Sequence, residues 1–124
     1  MMTFDEFMTT AMFPNAAYVK CKGWSSFYVK KGRRYLRGEL HDNILVLSNI
    51  EAKKTGQGTL TKFIVDFRAK YPGIPIMVEC VLVPRFAEGL LRRGFRQCEH
   101  DFQSYYLLPD DEFICHPSLT PSGP

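Results

Sequence analysis

The segment Lys53-Lys54-Thr55-Gly56-Gln57-Gly58 sets two lysines, a hydroxyl and two glycines directly ahead of an amphipathic stretch. Such a segment suits an anion. The first N–H groups of a helix have no intrahelical partner, and the helix dipole favours negative charge in front of them. Gly56 and Gly58 let the backbone approach a guest with no β-carbon in the way. Lys53 and Lys54 add charge, and Thr55 and Thr59 add hydroxyl donors. The guest that uses all of these is a pyrophosphate. The pattern is not a Walker A loop, since no Gly-Lys-Ser/Thr follows, and it is not the three-glycine dinucleotide fingerprint.

The other residues able to do chemistry lie further on. Glu79 stands in an apolar run (Ile76, Met77, Val78, Cys80, Val81). Burial of a carboxylate favours its neutral form and suits it to accept a proton near neutral pH; the plainer reading is a solvent-facing residue or a partner for a surface arginine. Glu51, beside the anion turn, reads as a surface residue, and His41 as an exposed residue at a strand turn. Tyr105 and Tyr106 stand side by side on a late strand, where alternation lets only one of them point inward. A buried hydroxyl satisfied within the core is the plain role for either. Cys80 has no histidine placed in sequence to activate it and reads as a core thiol. Cys98-x-His100 and Cys115-His116 are too irregularly spaced for a zinc site, so no metal is expected. Lys30-Lys31-x-Arg33-Arg34-x-x-Arg37 is the densest basic stretch, read as a solvated hairpin or as a dock for an acidic protein segment or nucleic-acid phosphates. Trp24, Phe27, Tyr28 and Tyr35 are interleaved with it and offer faces for base stacking or for the core.

The elements that must position these residues follow from periodicity. Thr3-x-x-Glu6 is a capping-box pattern, and Phe4, Phe7, Met8, Ala11 and Met12 continue it at helical spacing as far as Pro14. Ala17 to Cys21 and Ser26 to Val29 read as strands, Lys31-Gly32 as a turn, Arg33 to Leu40 as the returning strand, and Asp42-Asn43 as a second turn. Ile44-Leu45-Val46-Leu47 is a continuous apolar run, expected of a central strand covered on both faces. Leu60, Phe63, Ile64 and Phe67 then recur at i, i+3, i+4, i+7, with Lys62, Asp66 and Lys70 facing away, and Tyr71-Pro72-Gly73 stops the helix. Ile74 to Val83 is a second strong strand. Pro84 opens a helix whose inner face is Ala87, Leu90 and Leu91 and which Gly94 closes. Phe95 to Cys98 and Phe102 to Leu108 form a last hairpin. The expected organisation is one domain over residues 1–108 and an extended, Pro/Ser/Asp-rich tail over 109–124.

The 124 residues are enough for one core, and a net charge of +3 permits anionic partners without demanding them. No run of about 18 apolar residues exists, so no membrane partner is expected. The first residues carry an acidic pair and no basic region, so no secretory signal is expected. The four cysteines are widely spaced, which points to free thiols in a reducing cytoplasm.

Residues 44–95 resemble the core of the GNAT superfamily of N-acetyltransferases. The family's hallmark is Arg/Gln-x-x-Gly-x-Gly/Ala after its fourth strand, and Lys53 to Gly58 matches its glycines with a lysine at the Arg/Gln position. A helix, a fifth strand and a helix ending in Gly-Phe then follow, here over 59–71, 74–83 and 84–93, with Gly94-Phe95 at the end. The resemblance implies an α/β (α+β) fold: a mixed, mostly antiparallel central sheet flanked by about three helices, with one parallel pair, the family's fourth and fifth strands, splayed at the cofactor site. It implies acetyl-CoA as co-substrate, with the pantetheine arm bonded to backbone around Leu47, Ser48 and Asn49 and the pyrophosphate on the N–H groups of 54–59. The implied reaction is direct attack of a primary amine on the thioester in a ternary complex. The acceptor is a protein lysine or N-terminus, a small amine, or an aminoacyl group on tRNA. The minimal size resembles stand-alone members of the family, including those that phages carry. Val83 stands where the family often has Asn, and Leu90 where it often has the Tyr that protonates the thiolate; Tyr105 or Tyr106 is the replacement. The alternative is a non-catalytic module of this fold that holds a protein or nucleic acid through its basic hairpin. An uncovered edge strand allows a homodimer as well as a monomer.

Overall fold

The structure is a computed structural model that describes residues 16–19, 24–52 and 59–115, with side chains within 29–48 and 60–115. The expected helix after Thr3 and the segment 53–58 lie outside the described residues. Six strands form one mixed sheet: β1 (Ala16–Val19), β2 (Trp24–Leu36), β3 (Glu39–Ala52), β4 (Ile76–Val78), β5 (Arg96–Gln97) and β6 (Tyr105–Leu107), in the order β1-β2-β3-β4-β6-β5. All neighbours run antiparallel except β3 and β4, which are parallel and joined through α1 (Thr59–Lys70). A second helix, α2 (Pro84–Arg92), connects β4 to the last hairpin.

The strand–helix–strand unit forms where the pattern places it. Ile44 to Leu47 are each at most 1% exposed, because this stretch of β3 is covered on both faces. Alternation divides it: Leu45 and Leu47 pack with Val29, Ile76, Val78, Tyr105, Leu107 and the apolar stripe Phe63, Ile64, Phe67 of α1. Ile44 and Val46 join Leu36, Met77, Cys98 and Tyr106 on the other face. Each fully buried Leu, Ile or Phe of this kind contributes about 1.5–3 kcal/mol relative to exposure. Phe63 stacks on Phe67 at a centroid distance of 6.3 Å, and Phe67 meets Tyr71 at a tilt of 37° and 5.3 Å, so the three rings make one apolar stripe along α1 and its end.

The N-terminal half differs from its expected turns. Neither Lys31-Gly32 nor Asp42-Asn43 turns the chain: β2 and β3 are two long strands joined at Arg37-Gly38, with φ of +52° and +81°. Two positive φ values in a two-residue loop give the twist that a tight hairpin requires. Gly32 lies inside β2, where a β-carbon would stand 2.8 Å from Val46 Cγ2, so this glycine serves close packing rather than a turn. Asp42 and Asn43 fall in a register shift between the pairs Gly32↔Ile44 and Arg34↔His41, a β-bulge that puts an extra residue into β3. The strand expected over 74–83 pairs only over Ile76–Val78, because Cys80 adopts φ +57° and turns the chain out of the ladder.

The segment after Leu108 is held against the domain as far as Cys115. Arg68 Nη2 donates to the carbonyls of Pro109 (2.5 Å) and Asp111 (2.8 Å), and Arg93 Nη1 to that of Cys115 (2.6 Å). Arg37 bonds Asp111 at 2.6 Å. Burial pushes the Asp111 carboxyl up, but bonds from Arg37 and the Leu108 amide, with the charges of Arg37 and Arg96, outweigh it and hold the group below its usual value. Phe113 meets Phe95 edge to face. The extended tail expected from Pro109 onward is therefore a docked strap over its first residues. Its composition concealed this, because the arginines that hold it come from three distant elements.

Candidate functional site

β3 outruns β4. The parallel ladder begins with the Leu45 N–H on the Pro75 carbonyl and runs to the Glu79 N–H on the Leu47 carbonyl, both 3.0 Å. Beyond Glu79, Cys80 takes its positive φ and the next amide, Val81 N–H, bonds the Gln103 carbonyl at 2.7 Å. The chain thus leaves β3 for the loop that precedes β6, while β3 continues to Ala52 against β2. A second bulge lies in the continuing part: the register passes from Tyr28↔Ser48 to Ser26↔Glu51, which again gives β3 an extra residue. Bulges bend a strand and re-aim its groups, often beside a site.

This geometry sorts the backbone groups around 47–49. Leu47 is paired with Val29 on one side and Val78 on the other, and its carbonyl is taken by Glu79. Alternation turns the groups of Ser48 toward Tyr28 in β2. Asn49 and Ile50 follow inside the bulge, opposite Phe27, beyond the last ladder bond to β4. At the same end of the sheet α1 starts at Thr59, with no acidic residue in its first turn to compensate the helix dipole. Lys53, Lys54, Thr55, Gly56, Gln57 and Gly58 lie outside the described residues, as does the side chain of Thr59.

Glu79 follows Val78 on the face of Met77 and Val46. Its carboxylate is not isolated in an apolar setting: Lys30 Nζ, on β2, lies 3.3 Å from Oε2, with the two side chains 35% and 19% exposed. Lys30 is the residue that sequence reasoning missed here. The signal was present only as its place in the basic stretch, since the pairing depends on two registers, Lys30↔Val46 and Val46↔Met77.

The two tyrosines point to opposite faces and are both buried, Tyr105 at 6% and Tyr106 at 3% exposure. Tyr106 accepts a hydrogen bond from Arg37 Nε at 3.1 Å and carries that guanidinium over its ring, so its hydroxyl is engaged toward the β2–β3 turn. Tyr105 lies opposite Val78 in the core shared with α1, and no described residue hydrogen-bonds its hydroxyl. The structure brings Glu79 and Tyr105 to the same end of the sheet on opposite faces, and does not bring Tyr106 to them.

The remaining candidates separate further. His41 is opposite Arg34, near the β2–β3 turn and away from Glu79, with its Nε2 buried and unpartnered. Glu51 is paired in β3, its side chain outside the described residues. Leu90 is 1% exposed in the core, and Val83, 58% exposed, precedes α2 without a side-chain cap. Cys80 is exposed, not the core thiol expected, because it occupies the turn out of β4. Cys98 is buried, and burial pushes its thiol up to about 11. Among the described residues no group of three or more His, Cys, Asp or Glu could hold a metal ion, and no helix is long and apolar enough to cross a membrane.

The basic hairpin is not a row of solvated cations. Lys30 pairs with Glu79, Arg33 with Asp42 at 3.1 Å, and Arg37 with Asp111, while Lys31 is only 7% exposed. Exposed pairs such as Arg33–Asp42 contribute about 0–1 kcal/mol, but they leave less charge for an external phosphate. Compared with protein-family models and with curated proteins, the chain matches none of them.

Proposed function

We propose that the protein is a GNAT-type N-acetyltransferase that moves an acetyl group from acetyl-CoA to a primary amine. The observation that carries this reading is the end of the parallel pair. There β3 continues past Glu79, β4 turns away at Cys80, and α1 starts with no acid in its first turn, behind the glycines of 53–58. In this reading the pyrophosphate occupies the amides of 54–59, and the pantetheine arm takes the ladder positions that open at Asn49.

Glu79 and Tyr105 then divide the chemistry. An amine arriving on the Glu79 face loses a proton to that carboxylate and attacks the thioester carbonyl. The thiolate departs toward the opposite face, where the Tyr105 hydroxyl is the donor in place of the tyrosine that Leu90 lacks. The geometry gives less support to a non-catalytic module acting through the basic hairpin, since three of that hairpin's cations, Lys30, Arg33 and Arg37, are paired with carboxylates within the chain.

Thermal melting with acetyl-CoA, ATP and oligonucleotides tests the reading. A ligand of the folded state at about 100 times its Kd stabilises by about 2.7 kcal/mol. Acetyl-CoA is expected to raise Tm by several degrees, ATP and oligonucleotides by much less. A shift with oligonucleotides alone contradicts the transferase.

A further inference from the structure

We propose that Lys30 is an acetylation site of this protein, modified at its own active end; the inference rests on the transferase reading above. Lys30 lies opposite Val46, Val46 lies opposite Met77, and Glu79 stands two places beyond Met77 on the same face. The lysine stem therefore crosses β3 and delivers its ammonium 3.3 Å from the Glu79 carboxylate. That is the arrangement an acceptor amine must reach before its proton is taken. Both groups retain access to solvent, so the site is open to a third molecule.

The other ion pairs set Lys30 apart. Arg33–Asp42 and Arg37–Asp111 present guanidinium groups, which do not deprotonate in proteins and make no acyl acceptor. Lys62–Asp66 is a lysine pair of similar geometry at 2.9 Å, but its side chains are 73% and 63% exposed on the outer surface of α1. It supplies an internal control.

In the step itself Glu79 takes a proton from the Lys30 ammonium, and the neutral Nζ attacks the thioester carbonyl carbon. The N–C bond forms and the C–S bond breaks. The departing sulfur takes a proton from the Tyr105 hydroxyl, the second proton lost by nitrogen restores that hydroxyl by way of solvent, and the first passes from Glu79 to solvent. The products are Nε-acetyl-lysine and CoA. Acetylation removes the lysine's charge, so the internal cation leaves Glu79 and the carboxylate is released to an incoming amine.

The test incubates the full chain with deuterated acetyl-CoA and maps labelled peptides by mass, with melting temperature measured in parallel. Label is expected on Lys30 at least about tenfold faster than on Lys62, and the Glu79→Gln variant is expected to slow it on the order of 10²-fold or more. Lys30→Arg is expected to take no label at residue 30. Equal labelling of Lys30 and Lys62, or an unchanged rate in a folded Glu79→Gln variant, marks non-enzymatic acetylation and overturns the proposal. If that variant does not fold, the Lys30 to Lys62 ratio in the unaltered protein decides. No label on Lys30 with a melting shift from acetyl-CoA overturns self-acetylation alone. No label and no shift overturns the transferase reading with it.

Discussion

Replacing Gly94 by alanine is expected to cost about 3 kcal/mol or more of folding stability, a large part of the 5–15 kcal/mol typical of a domain. Gly94 follows Arg93, the C-cap of α2, and takes φ +105°. Its N–H bonds the Leu91 carbonyl at 3.1 Å, and the Phe95 N–H bonds the Leu90 carbonyl at 3.0 Å. This is the paired closure that ends a helix through a residue of positive φ, and the apolar contact that accompanies it is here between Leu90 and Phe95, both in the core. An L-residue in that conformation is strained by about 1–3 kcal/mol. A β-carbon there would also meet the backbone carbonyl of Glu112 in the docked strap, which cannot rotate aside. Gly38 separates the two effects. It has φ +81°, and nothing lies within 4 Å of its β-carbon position. Gly38→Ala is therefore expected to cost only the conformational part, about 1–2 kcal/mol. Urea midpoints of the two variants measure the difference; equal losses would mean that the strap does not press on Gly94.

The second large effect is on turnover. Glu79→Gln keeps the shape of the side chain and removes the proton acceptor, so kcat is expected to fall on the order of 10²–10⁴-fold while KM for acetyl-CoA changes little. The carboxamide also loses the ion pair with Lys30, so Lys30→Met is the necessary companion: it breaks the same pair and leaves the carboxylate. A large loss in Glu79→Gln with a small one in Lys30→Met assigns the effect to proton transfer. Equal losses in the two variants assign it to the ion pair, and undiminished turnover in Glu79→Gln removes Glu79 as the base.

The central unit of the fold was legible because its signals are local. Ile44 to Leu47, the spacing of Leu60, Phe63, Ile64 and Phe67, and the pair Pro84 and Gly94 each act within one element, and each element forms where they place it. The hairpin was misread because Gly32 and Asp42-Asn43 carry turn residue types for other reasons. Gly32 yields space to Val46, and Asp42-Asn43 fills a bulge, while the true turn begins with an arginine, a residue seldom found at φ +52°. Arg37 is stabilised in that conformation by Asp111 and Tyr106, both remote in sequence. The candidate site was legible as residue types and not as an arrangement. Nothing in the chain order tells that Lys30 reaches Glu79, that Tyr106 is engaged by Arg37, or that Cys80 turns outward, because each depends on register between strands.

Backbone amide shifts of the isotope-labelled chain during titration with CoA bear most directly on the proposed anion site. The amides from Lys54 to Thr59 should move together and saturate, with Asn49 following as the arm settles beside β3. If those resonances hold still while CoA perturbs another surface, or if none moves at millimolar coenzyme, no diphosphate sits before α1 and the transferase account is wrong.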